Sequence, residues 1–123
     1  MKFVNLCALI LGLALAAGCG RDAKQTPEQL KGRLDAAMGL TDPDKRNDAL
    51  KAVAEDAAES GVGEIAQAAT QRITDHDRQN QVAGTCALKL ADHGDTKSAT
   101  AVAGLITDPD RRNEVLGKIS KGR

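Results

Sequence analysis

Three close pairs of carboxylates, Asp42 with Asp44, Asp75 with Asp77 and Asp108 with Asp110, are the residues best placed by type and spacing to do chemistry. Oxygen-rich clusters suit a hard cation such as calcium, but these lack the Gly and the distal bidentate Glu of an EF-hand loop. Helix capping accounts for each Asp without a metal. His76 and His93 are the available imidazoles. Both belong to one expected helix of about 18 residues, at its two ends and about 25 Å apart at 1.5 Å per residue. They cannot share a proton or an ion. Cys86 occupies the register of Val53 and Ile119, the place of a small buried hydrophobe rather than a reactive thiol. No nucleophile elbow, zinc-type Cys pair or phosphate-cradling Gly loop is present. The sequence therefore predicts no enzyme, no metal and no cofactor.

The acidic pairs belong to a longer phrase that occurs three times. It reads Thr41-Asp42-Pro43-Asp44-Lys45-Arg46-Asn47, then Thr74-Asp75-His76-Asp77-Arg78-Gln79-Asn80, then Thr107-Asp108-Pro109-Asp110-Arg111-Arg112-Asn113, each Thr 33 residues after the last. A fixed period of about 20 to 50 residues marks a repeat architecture, in which a unit buries its apolar face by stacking on its neighbours. Asp42, Asp75 and Asp108 are expected to cap helices, with Pro43 and Pro109 suiting the first turn. Asn47, Asn80 and Asn113 recur where Asn is a poor helix residue. A ladder of side-chain amides tying each helix start to the adjacent turn is more economical than ligand binding.

Six helices position these residues. The first runs from an N-cap at Thr26, with Pro27 first and Gln29 closing a capping box, to about Met38 with Gly39 as its stop. The others run from Pro43 to Ser60, Gly63 to Ile73, His76 to His93, Thr96 to Ile106 and Pro109 to about Ser120, with Gly61 and Gly94 as stops. The fold class is all-α. One apolar face aligns Ala49, Leu50, Val53, Ala54 and Ala57 with Val82, Ala83, Cys86, Ala87 and Leu90, then with Val115, Leu116 and Ile119. The shorter helices add Ile65, Ala66, Ala69 and Ile73, matched by Ser98, Ala99, Val102 and Ile106.

The first 18 residues have a different character. Lys2 precedes an apolar run, Phe3 to Ala17, that is too short to span a bilayer at the roughly 20 residues required and reads as a signal-peptide core. The ending Leu15-Ala16-Ala17-Gly18-Cys19 resembles the lipobox of bacterial lipoproteins, with Ala16 where that family more often has Leu. The resemblance implies diacylation of Cys19, cleavage before it, and a lipid anchor in the bacterial cell envelope. Gly20 in place of Asp favours the periplasmic face of the outer membrane if the source is Gram-negative. Residues 19–26 would be a short tether, at most about 25 Å from Gly20 to Thr26.

Composition excludes several partners. Of 17 Lys and Arg, Lys2 leaves with the signal, so 16 stand against 17 Asp and Glu. That balance offers no net-basic footprint for nucleic acid. The one aromatic residue, Phe3, also falls in the signal, which removes base stacking and aromatic peptide grooves. With Cys7 removed and Cys19 acylated, Cys86 has no intramolecular disulfide partner.

Paired helices with Gly61 or Gly94 between them, Ala66 and Ala99 five residues later, and small Ala54 and Ala87 in the first helix resemble tetratricopeptide-type repeats. The large aromatic positions of that family hold Leu50, Ala57 and Thr70 here, and the period is one residue short. HEAT-like repeats are the second resemblance. Either implies a short right-handed α-solenoid of about three helix hairpins, with repeats about 27–60, 61–93 and 94–123, acting as a protein-binding or scaffolding module. Carried over position by position, the face that binds proteins or peptides in these families would present Asp48, Lys51, Glu55, Gln81, Gly84, Leu88, Glu114, Gly117 and Lys121. Leu88 with Gly84 either marks a partner groove or is one exposed Leu beside a tolerated glycine. The final helix leaves self-association into a homo-oligomer open, since solenoid ends need a polar cap or a partner.

Overall fold

Thr26 opens the first helix of the computed structural model, which describes residues 24–122. Its hydroxyl accepts from the Gln29 N–H while the Gln29 side chain accepts from the Thr26 N–H, a complete capping box. The expectations for a signal peptide and for lipidation at Cys19 lie outside the described residues. Helix α1 spans Pro27–Met38, α2 Pro43–Glu59, α3 Gly63–Gln71, α4 His76–Asp92, α5 Thr96–Ala103 and α6 Pro109–Ser120. Among the described residues there is no strand, and no helix is long and apolar enough to cross a membrane.

The acidic phrase starts α2, α4 and α6. Asp42 accepts from the N–H groups of Asp44 and Lys45, Asp75 from that of Arg78, and Asp108 from those of Asp110 and Arg111. Helices α2 and α4 end on Gly61 and Gly94, at φ of +75° and +83°. There the Val62 and Asp95 N–H groups reach back to the carbonyls of Ala57 and Leu90, the Schellman pattern that only a left-handed residue permits at low cost. Gly39 works differently. It keeps a right-handed φ of −76° and ends α1 by donating to Asp35 and Ala36.

The short helices stop earlier than their apolar pattern predicts. After Gln71 and Ala103 the chain tightens, with Ile73 N–H donating to Thr70 and Ile106 N–H to Ala103. These three-residue turns satisfy end carbonyls and still carry Ile73 and Ile106 into the core.

One contiguous core runs through all six helices. It contains Leu50, Val53, Ala54 and Ala57 of α2 and Val82, Ala83, Cys86, Ala87 and Leu90 of α4, with Val115 and Ile119 of α6. Ala49, Leu116 and Ile65 are only partly covered. Leu30, Leu34 and Ala37 of α1 also enter it, although α1 carries no copy of the repeated phrase that would have put them in register. Among the described residues each helix touches only its neighbour and next neighbour along the chain, and the most extensive contacts are α2 with α3 and α4 with α5. The close pairs thus span 43–71 and 76–103, with α1 and α6 as outer helices.

Candidate functional site

Two asparagines of the repeated phrase form joints between helices. The Asn47 carboxamide oxygen accepts from the Thr74 backbone N–H at 3.1 Å and lies 3.3 Å from its hydroxyl. One period later, Asn80 accepts from the Thr107 N–H at 2.8 Å and its hydroxyl at 3.1 Å. Both asparagines are buried, so these bonds satisfy groups that water cannot reach. Asn113 is exposed, and its side chain makes no hydrogen bond among the described residues.

A second joint escaped the sequence reading. Arg46 donates to the Leu40 carbonyl, Gln79 to those of Thr70 and Gln71, and Arg112 to that of Ile106. The residue before each Asn therefore ties its helix back to the end of the preceding one. Recurrence of a long donor at 46, 79 and 112 was the available signal.

His93 also serves a joint. Its Nε2 lies 2.8 Å from the Glu59 carbonyl and its ring covers Gly61, while Lys89 pairs with Glu59 at 2.8 Å. Hydrogen bonding to Lys89 holds the Glu59 carboxyl below its usual range. His76 is exposed at the far end of α4. No group of three His, Cys, Asp or Glu among the described residues is arranged to hold a metal. Burial pushes the Cys86 thiol up to about 12, away from the thiolate that reactivity requires.

Four of the nine expected groove residues do come together. Gln81, Gly84 and Leu88 of α4 face Glu114 of α6 across a shallow groove, with Arg111 and Lys118 at its rim. Leu88 also lines an adjoining open cleft of about 520 Å³ with Ala91, Asp92, Thr96, Lys118 and Ile119. Leu88 is half-buried against the core rather than fully projecting. Lys118 holds Glu114 at 2.9 Å and keeps its carboxyl below the usual range. Asp48 is exposed and paired with Arg78 at 2.8 Å, which links α2 to α4. Lys51, Glu55, Gly117 and Lys121 do not line this groove.

A second apolar groove lies at the other end, between α1 and α2. Arg33, Ala36, Ala37, Leu40, Ala49 and Val53 line it. Leu40 and Met38 beside it are the large hydrophobic residues exposed among those described. The sequence reading passed over Leu40, although it holds the register of buried Ile73 and Ile106.

Comparison with models of known protein families, with curated proteins and with solved structures gave no match to this chain.

Proposed function

We propose that this chain is a bacterial lipoprotein whose helical domain is a short right-handed α-solenoid of tetratricopeptide-like units, acting as a non-catalytic protein-binding or scaffolding module. One observation carries the binding role: Gln81, Gly84, Leu88 and Glu114, from two helices 33 residues apart in register, line one groove. An apolar residue between small and charged ones suits a helix or extended peptide laid across α4 and α6. The strictly local helix contacts and the repeated Asn–Thr joint support the solenoid reading. The anchor rests on the sequence around Cys19 and places the module at the cell envelope, on the periplasmic side of the outer membrane if the source is Gram-negative.

Crosslinking of the full-length protein in its native membrane, followed by mass spectrometry of the Cys19 peptide and of the crosslinked species, tests both halves. The expected result is an acylated Cys19 and one dominant heterologous partner that Leu88→Asp loses. An unmodified N-terminus removes the anchor, and a partner that Leu88→Asp leaves in place removes the groove.

A further inference from the structure

The two ends of this fold are complementary. At the N-terminal end, Thr41 is exposed with no Asn on it among the described residues, and position 14, which the register would require to be Asn, is Ala. At the C-terminal end, Asn113 is exposed with no Thr on it among the described residues. Two rungs of the ladder are made internally, and each end displays one half of a third.

The apolar surfaces match the same register. In the interior, α2 packs on α3 and α4, where Ala69, Ile73, Val82 and Cys86 are all buried. Their equivalents one period earlier are Ala36, Leu40, Ala49 and Val53, which line the groove between α1 and α2. That groove has the chemistry of a seat for a helix of the α2 type. Helix α6 is such a helix, and its Leu116 is only half-covered where Leu50 and Ala83 are buried.

Charge follows too. Asp48 on α2 pairs with Arg78 on α4; the equivalent of Asp48 on α6 is Glu114, and the equivalent of Arg78 on α2 is Lys45. Both are exposed, Glu114 held meanwhile by Lys118 of its own helix. The middle junction, Gln81 with Arg111, lacks this pair. Ser120, where Ala54 and Ala87 are buried, makes the α6 surface more polar than an internal one. The contact is therefore weaker than an internal junction.

We propose that copies of this chain join head to tail, with α6 of one copy seated between α1 and α2 of the next and Asn113 of the first bonded to Thr41 of the second. The contact joins two different surfaces, so it propagates into a row unless its rotation closes a ring. The inference rests on the helical-repeat reading but needs neither the Cys19 anchor nor a partner at Leu88.

The test is oxidative crosslinking of the full chain carrying Thr41→Cys, Asn113→Cys, or both, with the unsubstituted chain setting the background from its own thiols. Thr41, Asn113 and Leu40 are all exposed, and circular dichroism checks that each variant remains helical. The expected result is no dimer from either single variant, a dimer from their mixture, and a series of oligomers from the double variant. Adding Leu40→Asp should cut the yield at least about tenfold by placing a charge in the seat. Crosslinks between identical positions, or none in the mixture, overturn the proposal. If the crosslink fails while Leu88→Asp still loses its partner, only the head-to-tail contact falls. If the crosslink forms and no Leu88-dependent partner is found, the binding reading falls instead.

Discussion

The asparagine ladder can be weighed rung by rung, because the three asparagines share a register and differ in their bonds. Replacing Asn80 with Ala removes two hydrogen bonds to Thr107, at roughly 1 kcal/mol each. It also gains about 0.6 kcal/mol of helix propensity, so the net loss is roughly 1.4 kcal/mol. Asn113→Ala makes the same propensity gain and loses no side-chain bond to any described residue. The difference between the two variants is therefore about 2 kcal/mol, and the propensity contribution cancels from it. For a domain of this size, that corresponds to a gap in Tm of roughly 8 to 16 °C. Asn47→Ala, which loses its bonds to Thr74, is expected to behave like Asn80→Ala. Urea titration and thermal melts of the chain from Gly20 onward, followed by far-ultraviolet circular dichroism at low concentration, give the comparison. Equal losses for Asn80→Ala and Asn113→Ala would show that the position, not the rung, matters, and the ladder would have to be abandoned.

Two other perturbations separate packing from propensity and burial from charge. A Cβ on Gly63 would collide with Ser98 of α5 and with Asp95, the cap of that helix, whereas one on Gly117 meets open space; Gly63→Ala is expected to cost about 1 to 3 kcal/mol and Gly117→Ala to gain up to about 1 kcal/mol, read from urea midpoints. Cys86 keeps its proton in the folded state to about 12, against an ordinary 9.0, so the unfolded chain binds fewer protons between those values and stability falls as pH rises through them. Its contribution is up to about 1.4 kcal/mol per pH unit, and Cys86→Val, the residue at this register in α2, is expected to flatten that slope; an unchanged slope refutes it.

Much of the local structure was readable from residue types, because capping and turn chemistry act over four or five residues. Asp42, Asp75 and Asp108 cap, and Gly61 and Gly94 turn, with groups close in sequence. The Asn–Thr joint spans 27 residues but announced itself by repetition. What stayed hidden depended on how helices approach one another. Gly63 read as a helix start, and its role in letting α5 come close exists only once α3 and α5 are packed. Leu30, Leu34 and Ala37 had no repeated phrase to set their register. Ile73 and Ile106 continued the apolar pattern of a helix while the backbone tightened beneath them, since periodicity reports burial and not hydrogen bonding. Of the candidate groove, Gln81, Gly84, Leu88 and Glu114 were carried over from the resemblance to helical-repeat families, and these four line one groove. The α1–α2 groove was not legible, because an apolar Leu40 reads as core by register and its exposure shows only in the packed structure.

The confinement of contacts to adjacent and next-adjacent helices also sets how the molecule gains and loses its structure in time. The described tertiary contacts join adjacent and next-adjacent helices, and helical topologies rich in local contacts fold in roughly microseconds to milliseconds. Growth can begin in either of the close pairs, 43–71 or 76–103, and run outward. Opening runs the other way. Among the described residues, helices α1 and α6 each pack against fewer helices than those in the middle, so they are expected to release first while the middle holds. Amide exchange would then be graded, slowest around Leu50, Ala83 and Leu90 and fastest toward both ends.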